Sequence, residues 1–144
     1  DSTPSATELY VAEIFIPANA VLTGIAIYNG SAVTDDVKVG LYTAAGVLVA
    51  TNATGGAGTL TAGINGYQRI PFTSTYAVKG PGTYYIGVIF DGTVSRLRTH
   101  AAGNFGGGKI AAVYATAMET TSVTGLTMPT TFTAADKPPI ASVY

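Results

Sequence analysis

The chain has 144 residues and a nearly balanced charge, with seven Lys and Arg against eight Asp and Glu and a net charge of −1. This length fits one domain, which we expect to span 1–144 and to bury about 70% of the surface that the unfolded chain exposes. The absence of cysteine excludes disulfides and thiolate metal sites, and the charge balance argues against binding nucleic acid or an anionic membrane. No apolar run approaches the roughly 20 residues of a membrane span, which indicates a soluble chain.

The first half of the chain contains short stretches in which apolar and polar residues alternate, as they do in half-buried strands. Four strands are predicted there, over Thr7 to Ile16, Leu22 to Tyr28, Val37 to Leu41 and Val47 to Thr51. Asn29-Gly30 is a strong turn signal after the second strand, and Ala45-Gly46 joins the third and fourth into a hairpin. From Asn52 to Gly66 the composition shifts to Gly, Thr and Ala, which predicts a long loop.

The second half is dominated by Tyr84 to Phe90, an apolar run whose alternate residues share one face of a core strand. Asp91-Gly92 follows it and predicts a hairpin into a polar strand that carries Arg96, Arg98 and His100 on one face. Pro71 in the preceding region indicates that the strand there lies at an edge of its sheet or ends at this residue. The other predicted strands are Tyr67 to Phe72, Tyr76 to Val78, Lys109 to Tyr114, Thr130 to Thr133 and Ile140 to Tyr144.

These elements predict an all-β fold, because many short strands are separated by turn signals and no apolar pattern keeps helical spacing over ten or more residues. The architecture that we predict is an antiparallel two-sheet β-sandwich of the jelly-roll type. Its core is expected to contain Ile25, Ile27, Val39, Leu41, Ile86 and Val88.

No motif in the sequence specifies a reaction. His100 is the only histidine, its neighbours Arg96 and Arg98 surround it with positive charge, and no nucleophile motif lies nearby. Glu8 and Glu13 fall on opposite faces of the first strand, so they do not form the carboxylate pair that glycoside hydrolysis requires. We therefore predict a noncatalytic protein.

Cofactor chemistry is equally sparse. Carboxylate and carbonyl oxygens suit calcium, and Asp35, Asp36 and Asp91 are its candidate donors. The acidic residues do not repeat at the spacing of an EF-hand loop, so the prediction is no cofactor, with a structural calcium ion as the alternative.

Three tyrosines, Tyr28, Tyr42 and Tyr85, fall on the more polar faces of their strands. Placed outward, they suit packing against another subunit, stacking on a sugar ring, or covering the edge of the sandwich, and the residues leave all three open. The candidate subunit or ligand contacts are Tyr28, Tyr42, Tyr85, Arg96, Arg98 and His100.

Three segments of the chain carry a resemblance to known domains: LYVAEIFIPANAVLTGIAIYNG from Leu9, VKVGLYTAAGVLVA from Val37 and GYQRIPFTSTYAVKGPGTYYIGVIFDGTVSRLRT from Gly66. Together they resemble the small jelly-roll domains of tailed-phage virions. Such domains occur as head decoration proteins, head fibres and tail-fibre modules. The resemblance implies a structural subunit located in the virion, a homo-oligomer and expected trimer that contacts capsid or tail proteins.

The same segments are also similar to carbohydrate-binding-type jelly rolls of extracellular bacterial proteins. The chain has no Trp to supply the platforms of that group. This second resemblance implies, as the alternative, an extracellular carbohydrate- or surface-binding module with a glycan partner.

Overall fold

The computed structural model describes residues 3–4, 8–32, 34–52, 58–59, 66–90, 92–98, 115–119, 126, 128, 133–134 and 139–144. All regular secondary structure in these ranges is β-strand. The described ranges contain no helix long and apolar enough to cross a membrane. The all-β prediction is confirmed for this part of the chain.

The described residues form ten strands, in chain order β1 (Glu8–Ile16), β2 (Ala20–Tyr28), β3 (Asp36–Thr43), β4 (Leu48–Thr51), β5 (Gly58–Thr59), β6 (Tyr67–Val78), β7 (Gly82–Phe90), β8 (Ala115–Glu119), β9 (Thr133–Ala134) and β10 (Ala141–Val143). The larger sheet has seven strands, in the order β4-β3-β7-β1-β8-β9, with β5 also pairing with β3. The smaller sheet has the order β10-β2-β6. Every strand pair is antiparallel, as predicted.

The two sheets enclose one apolar core. All six predicted core side chains, Ile25, Ile27, Val39, Leu41, Ile86 and Val88, are at most 2% exposed and belong to one cluster. Strand β2 contributes the first two, β3 the next two and β7 the last two, so the core lies between the sheets. Period-two alternation therefore predicted the inward faces correctly.

Strand β6 is a single strand of 12 residues where two shorter strands were predicted. Its middle section, from Thr73 to Thr75, is exposed and adds no apolar residue that would reveal its strand conformation in the sequence. The edge position inferred from Pro71 is confirmed, because β6 is the last strand of the smaller sheet. The pairing of β2 with β6 shifts register between Leu22 and Gly24, beside this proline.

The hairpin predicted at Asp91-Gly92 is wrong. Strand β7 already has β3 on one side and β1 on the other, so no edge remains for a following strand. The chain instead crosses to the smaller sheet, where Leu97 forms an isolated bridge with Asn29 at the end of β2. The Leu97 side chain is only 1% exposed and belongs to the core, so burial of this side chain favours the crossing. Asp91 itself lies outside the described residues.

A set of backbone-to-side-chain hydrogen bonds fixes the crossing segment. The Ser95 hydroxyl oxygen accepts from the backbone N–H groups of Thr34 at 2.9 Å and Asp35 at 2.8 Å. In return, the Asp35 carboxylate accepts from the N–H groups of Val94 at 2.9 Å and Ser95 at 2.7 Å. The carboxylate also lies where a Cβ on Gly92 would be, so a larger residue at this position would displace Asp35 from these bonds.

Several predicted elements fall wholly or partly outside the described residues, among them the strand predicted at Thr130 to Thr133, of which only Thr133 is described, as the first residue of β9. The strand predicted over Lys109 to Tyr114 lies outside the described residues. Most of the loop predicted between Asn52 and Gly66 does so too. Within that loop, β5 pairs with β3. The closing strand predicted at Ile140 to Tyr144 is confirmed as β10.

Candidate interaction surfaces

The outer face of the larger sheet carries a second apolar cluster. Its buried members are Leu9, Val11, Tyr42, Ile89 and Leu126. The first four come from β1, β3 and β7 and lie on the face opposite to the core, and Leu126 and Met128 pack against them. The chain thus covers part of this face with its own C-terminal region.

Tyr42 is buried in the second cluster, with 0% of its surface exposed. Gly40 and Gly87 are direct cross-strand partners beside it, and a Cβ on Gly87 would lie 2.7 Å from Cε2 of the Tyr42 ring. The ring occupies the space that the two missing side chains leave, and its hydroxyl donates to the Leu126 carbonyl at 3.0 Å. The expectation that Tyr42 faces outward to solvent or a partner is therefore wrong.

Burial raises the pKa of the Tyr42 phenol above its ordinary value of about 10. As pH rises, the unfolded chain loses this proton before the folded chain does, so the stabilisation is complete below about pH 10 and is lost above it. We expect the free energy of unfolding to fall as pH rises above about 10, and urea titrations between about pH 9 and 11.5 measure the slope.

The matched variant for this prediction is Tyr42→Phe. It should be less stable at neutral pH by about 1 kcal/mol, because the Leu126 carbonyl loses its donor. The free energy of unfolding of Tyr42→Phe should fall less steeply with alkaline pH than that of the wild type. The control is Tyr67→Phe, which alters a ring 57% exposed and should keep the wild-type slope. Equal alkaline slopes in the wild type and Tyr42→Phe would contradict the assignment.

Beside the second cluster, three apolar side chains remain accessible. Phe15 is 66% exposed, Leu48 is 39% exposed, and Tyr85 is half-buried against the cluster. Tyr42 pairs with Tyr85 on one side and with Leu48 on the other. Phe15 lies on β1, which is the other neighbour of β7. We call Phe15, Tyr85 and Leu48 the apolar strip.

The outer face of the smaller sheet has a different composition. Tyr28 on β2 and Tyr67 on β6 are cross-strand partners, and their rings meet edge to face with centroids 4.8 Å apart. On the other side of β2, the backbone N–H of Arg98 donates to the backbone carbonyl of Tyr28 at 2.9 Å. The bridged residues Asn29 and Leu97 point into the core, so Tyr28 and Arg98 lie on the outer face.

A second contact continues this face towards the end of the chain. The guanidinium carbon of Arg69 lies 4.9 Å from the centroid of the Tyr144 ring, which is a cation–π geometry. Backbone hydrogen bonds to β2 fix the position of Tyr144. Its N–H donates to the Gly24 carbonyl, and its own carbonyl accepts from the N–H groups of Thr23 and Gly24. We call the six side chains Tyr28, Tyr67, Arg69, Arg96, Arg98 and Tyr144 the Tyr/Arg face.

The structure divides the six candidate contact residues predicted from the sequence. Tyr28, Arg96 and Arg98 come together on the Tyr/Arg face. Tyr42 and Tyr85 belong to the other sheet, and His100 lies outside the described residues.

Sequence reasoning missed three members of the Tyr/Arg face. Tyr67 and Arg69 alternate with the buried Gln68 and Ile70, and this period-two pattern could have identified them as outward residues. Tyr144 carries no comparable signal, because its place depends on bonds to a distant part of the chain.

The acidic candidates do not converge among the residues that the structure describes. Asp35 uses its carboxylate on backbone N–H groups, and no three His, Asp or Glu side chains in the described ranges could jointly hold a metal ion. Glu8 accepts from the Tyr10 hydroxyl, while Glu13 is exposed on the opposite face of β1. The predicted separation of the two glutamates is confirmed.

Comparison of the chain with protein-family models, with curated proteins and with solved structures finds no match. Fold and surfaces therefore define the class of the protein. It is an all-β protein of two antiparallel sheets. The larger sheet carries the apolar strip, and the outer face of the smaller sheet carries the Tyr/Arg face.

Proposed function

We propose that the protein is a noncatalytic structural subunit of a virion, a jelly-roll-type sandwich that acts through contacts with its own copies and with capsid or tail proteins. The observation that carries the proposal is the apolar strip, in which the Phe15 ring on β1 is 66% exposed and Tyr85 and Leu48 follow on β7 and β4 of the same sheet. Exposed aromatic rings at the margin of an existing apolar cluster suit burial at a contact between subunits.

The low charge of the chain also supports assembly. Only 10% of the residues are charged, against about 25% in ordinary globular domains. A contact between surfaces of neutral side chains removes few ions from water, so little of the hydrophobic gain is lost to desolvation. Repeated contacts of this kind suit a symmetric homo-oligomer.

The virion location and the expected trimer rest on the resemblance of three segments to tailed-phage jelly-roll domains. The noncatalytic character is supported by the sole histidine, His100, and by the separation of Glu8 and Glu13 on opposite faces of β1. We expect the protein to bind neither nucleic acid nor a membrane, because its net charge is −1.

A second candidate function is that of an extracellular carbohydrate- or surface-binding module. The observation that favours it is the Tyr/Arg face, where Tyr67 is 57% exposed and lies edge to face with Tyr28. An accessible tyrosine ring on the outer face of a sheet offers a platform on which a sugar ring can stack.

Substitution of Phe15 tests the assembly contact. Phe15→Ser removes the most exposed large apolar side chain of the described residues and should shift the oligomer towards the 14.6 kDa monomer in sedimentation velocity. The matched control is Val21→Ser, which changes a side chain 64% exposed on the smaller sheet and should leave assembly unchanged. If Phe15→Ser assembled like the wild type, the strip would not be the contact.

A further inference from the structure

All three arginines of the chain lie on one face of the molecule. They are Arg69, Arg96 and Arg98, and the structure places them on the outer side of the smaller sheet together with three tyrosines. The strand segments that build this face, β2, β6, β10 and 96–98, contain no Asp or Glu. A face that concentrates arginine in a chain of net charge −1 attracts anionic groups.

We propose that the Tyr/Arg face binds a carboxylate-bearing polysaccharide. This inference rests on the second proposed function, binding of a carbohydrate at the smaller sheet, and names its ligand class. Planar guanidinium groups donate paired hydrogen bonds to carboxylates, and tyrosine rings offer flat apolar surfaces to sugar rings. An acidic glycan presents both chemical groups in one polymer.

Four of the six binding groups are already held in place. Tyr67 and Tyr28 support one another edge to face, Arg69 lies against the Tyr144 ring, and three backbone hydrogen bonds tie Tyr144 to Thr23 and Gly24. Side chains that are ordered before the ligand arrives lose little conformational freedom on binding.

The floor between these groups is made of small side chains. Ala26 pairs with Arg69 on one side and with Ser142 on the other, and a Cβ on Gly24 would meet the Tyr144 phenol. Small residues leave a flat surface on which an extended polymer can lie along the strands. They also provide none of the large apolar side chains that form the centre of a permanent protein interface.

A second copy of the chain does not fit this face in a two-fold arrangement. Such a contact places the same patch against itself, so that the three arginines of one copy would lie close to the three arginines of the other. Like charges brought together in this way disfavour the contact. The three side chains of the apolar strip on the larger sheet are uncharged, and the strip is the surface that we assign to assembly.

The test compares polygalacturonate with the same polymer after methyl esterification, which retains the sugars and removes the carboxylate charge. We expect the wild-type protein to bind a polygalacturonate-coated sensor, to bind the ester at least about tenfold more weakly, and to lose affinity as salt increases. Arg69→Gln and Tyr67→Ala should each weaken polygalacturonate binding by about tenfold or more.

The matched control is Lys79→Gln, which removes one positive charge from an exposed residue between β6 and β7, away from the six side chains. It should bind polygalacturonate like the wild type, and thermal unfolding should show that all variants remain folded. An equal loss in Lys79→Gln would overturn the assignment to this face.

Other outcomes separate the inference from the function on which it rests. Equal binding of polygalacturonate and its ester would retain carbohydrate binding and overturn the acidic ligand class. No binding to either polymer would overturn both. Tighter binding to single-stranded oligothymidylate than to polygalacturonate, lost in Arg69→Gln, would overturn the glycan in favour of nucleic acid.

Discussion

Val88→Asp should prevent the chain from folding. Val88 has no exposed surface, lies in the middle of β7 and packs in the core between the two sheets. A carboxylate there would have no partner, and an uncompensated buried charge costs about 3–5 kcal/mol, to which the lost packing of the valine adds. This penalty is comparable with the whole stability of a typical domain, about 5–15 kcal/mol.

Circular dichroism and denaturant titration measure the effect. The same substitution at an exposed valine, Val21→Asp, provides the control, because that side chain is 64% exposed and can keep its charge in water. We expect Val21→Asp to fold with stability close to that of the wild type. If Val88→Asp were also folded and similarly stable, the inward face of β7 would be assigned incorrectly.

Gly87→Ala should destabilise the larger sheet by about 1–3 kcal/mol, although alanine is the smallest change available. The added Cβ would lie 2.7 Å from Cε2 of Tyr42 and 3.1 Å from Cδ1 of Leu9, both closer than ordinary contacts. The Tyr42 ring cannot easily move aside, because its hydroxyl is bonded to Leu126 and the ring is fully buried.

The control is Gly82→Ala on the same strand, where the nearest atom to the new Cβ is Cε2 of Tyr84 at an ordinary 3.5 Å. That variant should be neutral or more stable by up to about 1 kcal/mol, since alanine restricts the unfolded chain. Removing the ring with Tyr42→Ala should relieve much of the Gly87→Ala penalty in a double-mutant cycle. Additive effects of the two changes would show that the ring does not occupy the space above Gly87.

Alternation in the sequence predicted the core side of each main strand but not the outer side of the larger sheet. On β7, the residues opposite the core are Tyr85, Gly87 and Ile89, a mixture that indicates neither burial nor exposure. Burial of Tyr42 depends on Leu126, which lies 84 positions further along the chain. A contact at that separation leaves no local pattern from which it could be predicted.

The Tyr/Arg face was predicted only in part for a related reason. Tyr28, Arg96 and Arg98 were identified from their own segments, but the segment 96–98 was expected to pair with β7. Its pairing with the end of β2 depends on burial of Leu97 and on the bonds between Asp35 and Ser95. These are tertiary interactions, so the juxtaposition of the arginines with Tyr67 and Tyr144 could not be read from any one segment.

The mass of the native particle tests the central proposal, action through subunit contacts, most directly. Light scattering on the purified protein at micromolar concentrations and above should give a multiple of the 14.6 kDa chain mass, with three copies expected. A mass that stays at 14.6 kDa throughout this concentration range would contradict assembly through the apolar strip.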